Sequence, residues 1–242
     1  MSSKLEIRKR YESEASIYFA KRRFYFSYVG ARMINVVGAV INLCAHAKQT
    51  SDLKILDVGS GSGFFERNIE KINDMKIWVS LDIAENMVRM QNRNSPAIDA
   101  IVADAEHLPF RDNAFDIVLV SRAIKFMDPE KVLKESKRVS KKFFILFVDV
   151  ADTLWAYVME RIFSIAVDPA IWNNYRTLSV KEIETFLRIF FFYQKIHITA
   201  MPLSIFNILP SFLLKILNIL DKPLLGSRIV CYICLPKKLL IK

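Results

Sequence analysis

Three of the six glycines in this 242-residue chain fall within five residues, in Asp57-Val58-Gly59-Ser60-Gly61-Ser62-Gly63. Glycine lets a chain turn tightly and lets its backbone approach a ligand, and a helix that follows presents unpaired N–H groups. Such a turn suits a nucleotide-like molecule. Three residues further on could complete its site. Asp82 stands 19 residues past Gly63, where a carboxylate can accept both hydroxyls of a ribose. Asp104 follows an apolar run and can receive an adenine amino group, and Ser121 closes another such run. A dinucleotide fingerprint would need its third glycine at Phe64, and no Walker Lys-Ser/Thr follows the turn. A ligand without a pyrophosphate fits better.

These residues need a scaffold that brings strand ends together. Leu53–Gly59, Ile77–Leu81, Ile98–Ala103, Phe115–Val120 and Phe143–Val150 read as strands of a buried sheet. Residues 5–47, Phe64–Ile72 and Ala84–Arg93 read as helices, and Asp128-Pro129 opens another with a cap and a first-turn proline. Ser179-Val180-Lys181-Glu182 is a capping box, followed by strand candidates at Tyr193–Met201 and Arg228–Leu235. Strands alternating with helices imply an α/β protein with a mostly parallel sheet covered on both faces. The expectation is one domain over 1–242: N-terminal helices and lid at 1–47, ligand-binding core at 52–150, and substrate-side insertions with the last two strands at 151–242.

Composition narrows the class. Apolar residues make up 52% and charged residues 25%, which excludes a disordered chain and a coiled coil. The net charge of +10 is uneven, with +5 in residues 1–32, +5 in 131–142 and −5 in 52–130. A basic periphery is either a solvated face or a mark of a polyanionic partner, so nucleic acid and an anionic membrane surface both stay open. Cys231 and Cys234 form a C-x-x-C inside a strand, where residues three apart face opposite ways, so buried thiols are expected and no metal. The apolar segments Val29–Ala45 and Ile205–Leu220 carry interrupting polar residues and are read as amphipathic. The N-terminus lacks a signal-peptide pattern, so a cytoplasmic location is expected, with peripheral contact at the inner face of a membrane as an extension.

Ile55-Leu56-Asp57-Val58-Gly59-Ser60-Gly61-Ser62-Gly63, Leu81-Asp82, Ala103-Asp104-Ala105-Glu106-His107-Leu108-Pro109-Phe110 and Asn113-Ala114-Phe115-Asp116-Ile117-Val118 together closely resemble the class I S-adenosylmethionine-dependent methyltransferases. The branch they most resemble holds the ubiquinone/menaquinone-type enzymes, and the resemblance covers about residues 7–150. It implies a Rossmann-like three-layer sandwich with seven strands, the last antiparallel between the fifth and sixth, and helical cap insertions. It also implies S-adenosylmethionine as cofactor. Gly59, Ser60, Gly61 and Gly63 would then form the loop along its methionine part, with Asp57 supporting the ammonium. Asp82 would hold the ribose, Asp104 the adenine amino group and the Ala105 N–H a ring nitrogen. Ile83 and Met87 would sandwich the adenine, Ser121 would face the carboxypropyl arm or the sulfonium, and Tyr18 would reach over the cofactor. Where the family carries a Pro-Gly-Gly turn this chain has Arg138-Val139-Ser140-Lys141-Lys142.

No catalytic residue follows with the same force. Asp149 borders the expected transfer site and is the weak candidate for a base, while His107 is expected on the surface. The aromatic stretch 152–178 and the amphipathic stretch 203–226 would wall the acceptor pocket, which suits a small apolar or amphipathic acceptor such as an isoprenoid, quinone or lipid precursor. Two other readings remain: RNA methylation using the basic periphery, and a non-catalytic, cofactor-binding regulator. The oligomeric state is left open.

Overall fold

The computed structural model describes residues 4–48, 52–69, 76–96, 98–150, 178–199 and 229–237. Every short apolar run becomes a strand. They are β1 (Leu53–Val58), β2 (Lys76–Asp82), β3 (Asp99–Val102), β4 (Phe115–Ser121), β5 (Ser140–Asp149), β6 (Phe191–Thr199) and β7 (Ile229–Pro236). The helices are α1 (Lys4–Glu14), α2 (Tyr18–Lys48), α3 (Phe64–Ile69), α4 (Glu85–Asn94), α5 (Pro129–Val139) and α6 (Val180–Phe190). The strands join in one sheet of order β3-β2-β1-β4-β5-β7-β6. β1 to β5 pair parallel, and β7 lies antiparallel between β5 and β6, as the resemblance implies.

Alternation along the strands splits the core in two. Leu53, Ile55, Ile117, Leu119, Ile145 and Phe147 pack on one face with α2 residues Val29, Met33, Val37 and Ile41. Leu56, Val118, Val120, Phe144 and Leu146 pack on the other with Val132 and Leu133 of α5 and Ile183 and Leu187 of α6. Neighbouring residues such as Ile55 and Leu56 are therefore both wholly buried, which makes β1 continuously apolar apart from exposed Lys54 and the site residue Asp57. Val29–Ala47 is apolar and long enough to cross a membrane by length and composition, with 39% of that stretch buried. Its buried positions recur at helical spacing and meet the sheet, the pattern of a core helix.

The caps read from sequence are formed. Asp128 accepts from the Glu130 and Lys131 N–H groups at 3.1 and 3.3 Å. Ser179 and Glu182 exchange side-chain-to-backbone bonds at 3.1 and 2.8 Å. Caps of this kind each contribute about 1 kcal/mol. Some boundaries differ from expectation. β5 begins at Ser140, so α5 runs into the strand with no intervening turn. Arg138 makes this possible. It donates to the Phe110 and Leu108 carbonyls at 2.6 and 2.9 Å and pairs with Asp112 and Glu135, tying the preceding loop to the junction. β6 likewise starts directly after α6, two residues earlier than read from sequence, at Phe191. Cys231 and Cys234 are buried on opposite faces of β7, and burial pushes both thiols up. The insertion stretches 151–177 and 203–226 lie outside the described residues.

Candidate functional site

Strand order reverses between β1 and β4, and a crevice opens at the carboxyl ends of the strands there. The loop after β1 forms one wall. The Gly59 and Ser60 N–H groups both donate to the Leu81 carbonyl, at 2.8 and 3.0 Å, which hangs the loop on the end of β2. Gly59 has φ +70° and its absent side chain leaves room for Ala123, whose Cβ would stand 2.4 Å from a Cβ added at Gly59. Glycine is required there. Gly63, at φ +81°, serves a different contact: a Cβ would meet the Gln91 side chain at 2.8 Å. Gln91 in turn accepts from the Ser60 hydroxyl at 2.9 Å and donates to the Ser80 hydroxyl.

Four carboxylates line the crevice and differ in their surroundings. Asp82 accepts from the Gly61 N–H on one oxygen and from the Ala84 N–H on the other, both at 2.9 Å, so its orientation is locked. Burial raises its carboxyl above the ordinary range, an effect the N–H donors of Ala84, Gly61 and Ile83 partly offset. Asp104 stands two residues past β3 and accepts from the Glu106 N–H at 2.9 Å and the Lys4 ammonium at 2.6 Å. Partial burial pushes its carboxyl up, but Lys4 and that N–H hold it below the usual value. Glu106 joins the same ammonium at 2.8 Å. Asp57 is 1% exposed, and its Oδ1 has no hydrogen-bond partner. Burial, then Glu66, then Asp82 push its carboxyl far up.

The roof and far end come from residues remote in sequence. Lys4, Ile7 and Tyr11 of α1 line the crevice, and the Tyr11 ring meets Phe126 edge-on at 5.5 Å. Glu12 fixes α1 in place by accepting from the Glu85 and Asn86 N–H groups at 2.7 and 2.8 Å. After β4, Ser121, Arg122, Lys125, Phe126 and Met127 line the crevice. Arg122 takes the left-handed φ of 61°, unusual for a bulky side chain. Its N–H donates to the Phe147 carbonyl at 2.8 Å, and its Nε reaches both oxygens of Asp149 at 3.1 and 3.2 Å. Lys125 binds the same carboxylate at 2.6 Å. Burial works against ionisation of Asp149, yet these two cations hold its carboxyl well below the usual range. An ionised, doubly paired carboxylate is a poor proton acceptor, so Asp149 is corrected from candidate base to anchor of two cations.

Asp57, Gly59, Ser60, Gly61, Asp82, Ile83, Asp104, Ala105 and Ser121 all line this one crevice. Met87 does not. It is wholly buried with Ala84 and with Ala15, which follows α1, because the docking of α1 claims that face of α4. Gly63 is likewise a packing glycine behind the loop. Tyr18 begins α2, and its side chain lies outside the described residues. His107 is on the surface, 3.5 Å from Asp104. Among the described residues no three His, Cys, Asp or Glu side chains cluster to hold a metal. Lys4, Tyr11, Glu66, Arg122 and Lys125 are additions that the sequence reading missed. Position after a strand end was a signal available for Arg122 alone.

A sequence profile of the methyltransferase domain family matches residues 56–147, the segment that carries β1 to β5 and this crevice. Residues 56–147 thus match the methyltransferase domain family. A demethylmenaquinone methyltransferase of Renibacterium salmoninarum is 38% identical over 90 residues, 36% of this chain and 37% of that one. A ubiquinone/menaquinone biosynthesis C-methyltransferase of Wigglesworthia glossinidia brevipalpis is 38% identical over 109 residues, 41% of this chain and 44% of its own length. The match thus spans less than half of these relatives. Among solved structures, a SAM-dependent methyltransferase of Thermotoga maritima, described as a possible histamine N-methyltransferase, superposes with a TM-score of 0.64 at 18% identity, covering 95% of this chain and 98% of that one. Geranyl diphosphate C-methyltransferase of Streptomyces coelicolor A3(2) superposes with a TM-score of 0.57 at 12% identity, covering 76% and 73%. These two likenesses concern the fold.

Proposed function

We propose that the protein transfers a methyl group from S-adenosylmethionine to a small apolar or amphipathic acceptor. The observation that carries this reading is the convergence of β1, β2, β3 and β4 on one crevice, with Asp57, Asp82 and Asp104 at successive positions along it. The donor set fits the cofactor. Asp82, locked by two N–H groups, keeps lone pairs for the ribose hydroxyls. Asp104, partly exposed and held by Lys4 and the Glu106 N–H, keeps lone pairs for an adenine amino group, and the unpartnered Asp57 Oδ1 suits an ammonium. At Gly59 the close approach of Ala123 leaves no room for a side chain, and the loop turns there beside the crevice, where its backbone can meet the methionine part.

The bound cofactor supplies a methyl group already activated by its sulfonium, so alignment and exclusion of water carry most of the catalysis. The chain provides both. Tyr11 and Phe126 close over the crevice, and the Glu12 bonds to the start of α4 hold that closure in register. Arg122 and Lys125, aimed by Asp149, set the charge at the far end. Ser121 lines the same crevice. Relatives named for demethylmenaquinone and geranyl diphosphate support an isoprenoid, quinone or lipid precursor as acceptor. In this reading 1–242 is one domain, with 152–178 and 203–226 as the acceptor walls and the latter able to rest on an anionic membrane surface.

The test is label transfer from S-adenosylmethionine into a lipid extract and, in parallel, into bulk tRNA. Label in the lipid fraction is expected, and label in tRNA alone would overturn the acceptor class. Phe212→Ser or Leu213→Ser should lower transfer severalfold while leaving cofactor affinity unchanged. Loss of folding by both would make 203–226 ordinary core.

A further inference from the structure

Two buried acids face each other behind the glycine loop. Asp57 ends β1 and is 1% exposed, with Oδ1 unpartnered. Glu66 comes from α3 and is wholly buried. Its Oε1 accepts from the Trp78 indole at 3.1 Å, and its Oε2 has no partner. The groups facing the pair can be named element by element. β2 contributes Trp78, Ser80 and a third acid, Asp82. α3 contributes Arg67, whose charge acts on Glu66 while its Nε donates to the Gly63 carbonyl at 3.2 Å. On the β4 side the loop meets Ala123 and Met127, which are apolar.

Two ionised carboxylates in contact in so dry a place repel strongly, so such pairs keep one proton between them. Its position follows from the neighbours. Burial, Glu66 and Asp82 all act upward on Asp57. For Glu66 the upward push of burial is partly offset by its own backbone N–H and by the polar groups of Asp57, Ser80 and Trp78. These influences favour the shared proton on Asp57 over Glu66.

We propose that Glu66 is a positioning residue that keeps Asp57 protonated in the cofactor-free protein, and that an ammonium group entering the crevice displaces this proton to solvent. The inference rests on the reading that the methionine end of S-adenosylmethionine comes to Asp57. The step balances simply. The Asp57 O–H bond breaks, its electron pair stays on oxygen, the proton goes to buffer, and the freed carboxylate accepts from the ammonium N–H.

The probe is S-adenosylhomocysteine, which carries the ammonium and no methyl group to transfer, titrated by calorimetry at pH 7 in phosphate and in Tris. The apparent enthalpies should differ by the release of about one proton, and affinity should rise by up to about tenfold per pH unit from pH 6 to 7. Adenosine, lacking the ammonium, should bind with no such release. In Glu66→Gln the amide donates to an ionised Asp57, so the release disappears and affinity at pH 6 rises. Asp57→Asn should also abolish the release, with weaker binding. Equal enthalpies in both buffers with binding intact would overturn the proposal alone, as would full release retained in Glu66→Gln. No binding of S-adenosylhomocysteine would overturn the cofactor reading itself.

Discussion

Asp57 and Asp149 lie at the carboxyl ends of parallel strands of one sheet, yet their carboxyls are pushed in opposite directions. Asp57 ends up against Glu66 and Asp82, and its carboxyl is held far above the ordinary range by burial and by these acids. Asp149 is also taken out of water, yet Arg122 and Lys125 keep it ionised. Burial acts in the same direction on both. The neighbours decide the outcome, and they do so in a way that suits each end of the crevice. One end keeps an acceptor in reserve for an incoming cation, and the other holds two cations in place.

The sharpest way to break this contrast is Asp149→Ala. Removing the shared anion leaves Arg122 and Lys125 facing each other with side chains only 20% and 16% exposed. A fully buried pair broken this way costs about 3–5 kcal/mol, and partial exposure lowers the expectation to about 2–3 kcal/mol by denaturant unfolding. Asp82→Ala comes next. It should leave the fold intact and weaken S-adenosylmethionine by about 1.5–3 kcal/mol, the scale of hydrogen bonds to a charged group.

The pH dependence of stability sharpens the comparison, because the two ends act with opposite sign. The unfolded chain ionises Asp57 near the ordinary carboxylate value, while the native protein holds its carboxyl above that value. The native state then binds more protons, so this contribution falls as pH rises toward the raised native value. Asp149 behaves in reverse: its contribution is full above the ordinary carboxylate value and is lost as pH falls through the depressed native one. Glu66→Gln should therefore flatten the neutral side of the stability profile by about 1 kcal/mol and leave the acid side alone. The smallest effect is expected for Lys4→Ala. Lys4 bridges Asp104 and Glu106 but its side chain is 42% exposed, so stability should change by no more than about 1 kcal/mol.

What was legible in the sequence lay where local pattern and site coincide. Asp57, Gly59, Gly61, Asp82 and Ser121 follow or end β-rich apolar runs, so their place at the sheet edge follows from the chain alone. The sheet order, with β7 between β5 and β6, came with the resemblance. Met87 failed because a helix residue's surroundings depend on what docks against the helix, and here α1 arrives from 70 residues away in the chain. Lys4 and Asp104 are 100 residues apart, and no periodicity could join them. Glu66 is an ordinary first-turn helix acid by sequence, and only the crossing of α3 over β2 places it against Trp78 and Asp57. The continuous α5–β5 junction was hidden for the same reason, since Arg138 stabilises it through carbonyls some 30 residues earlier.

Cofactor recognition by this crevice is tested most directly by titrating the intact protein with S-adenosylmethionine and, separately, with NAD. Saturable one-to-one binding of S-adenosylmethionine is expected, with NAD weaker by at least about tenfold, a difference of about 1.4 kcal/mol. Failure to bind S-adenosylmethionine, or NAD bound equally well, would contradict the assignment of Asp57, Asp82 and Asp104 to this cofactor.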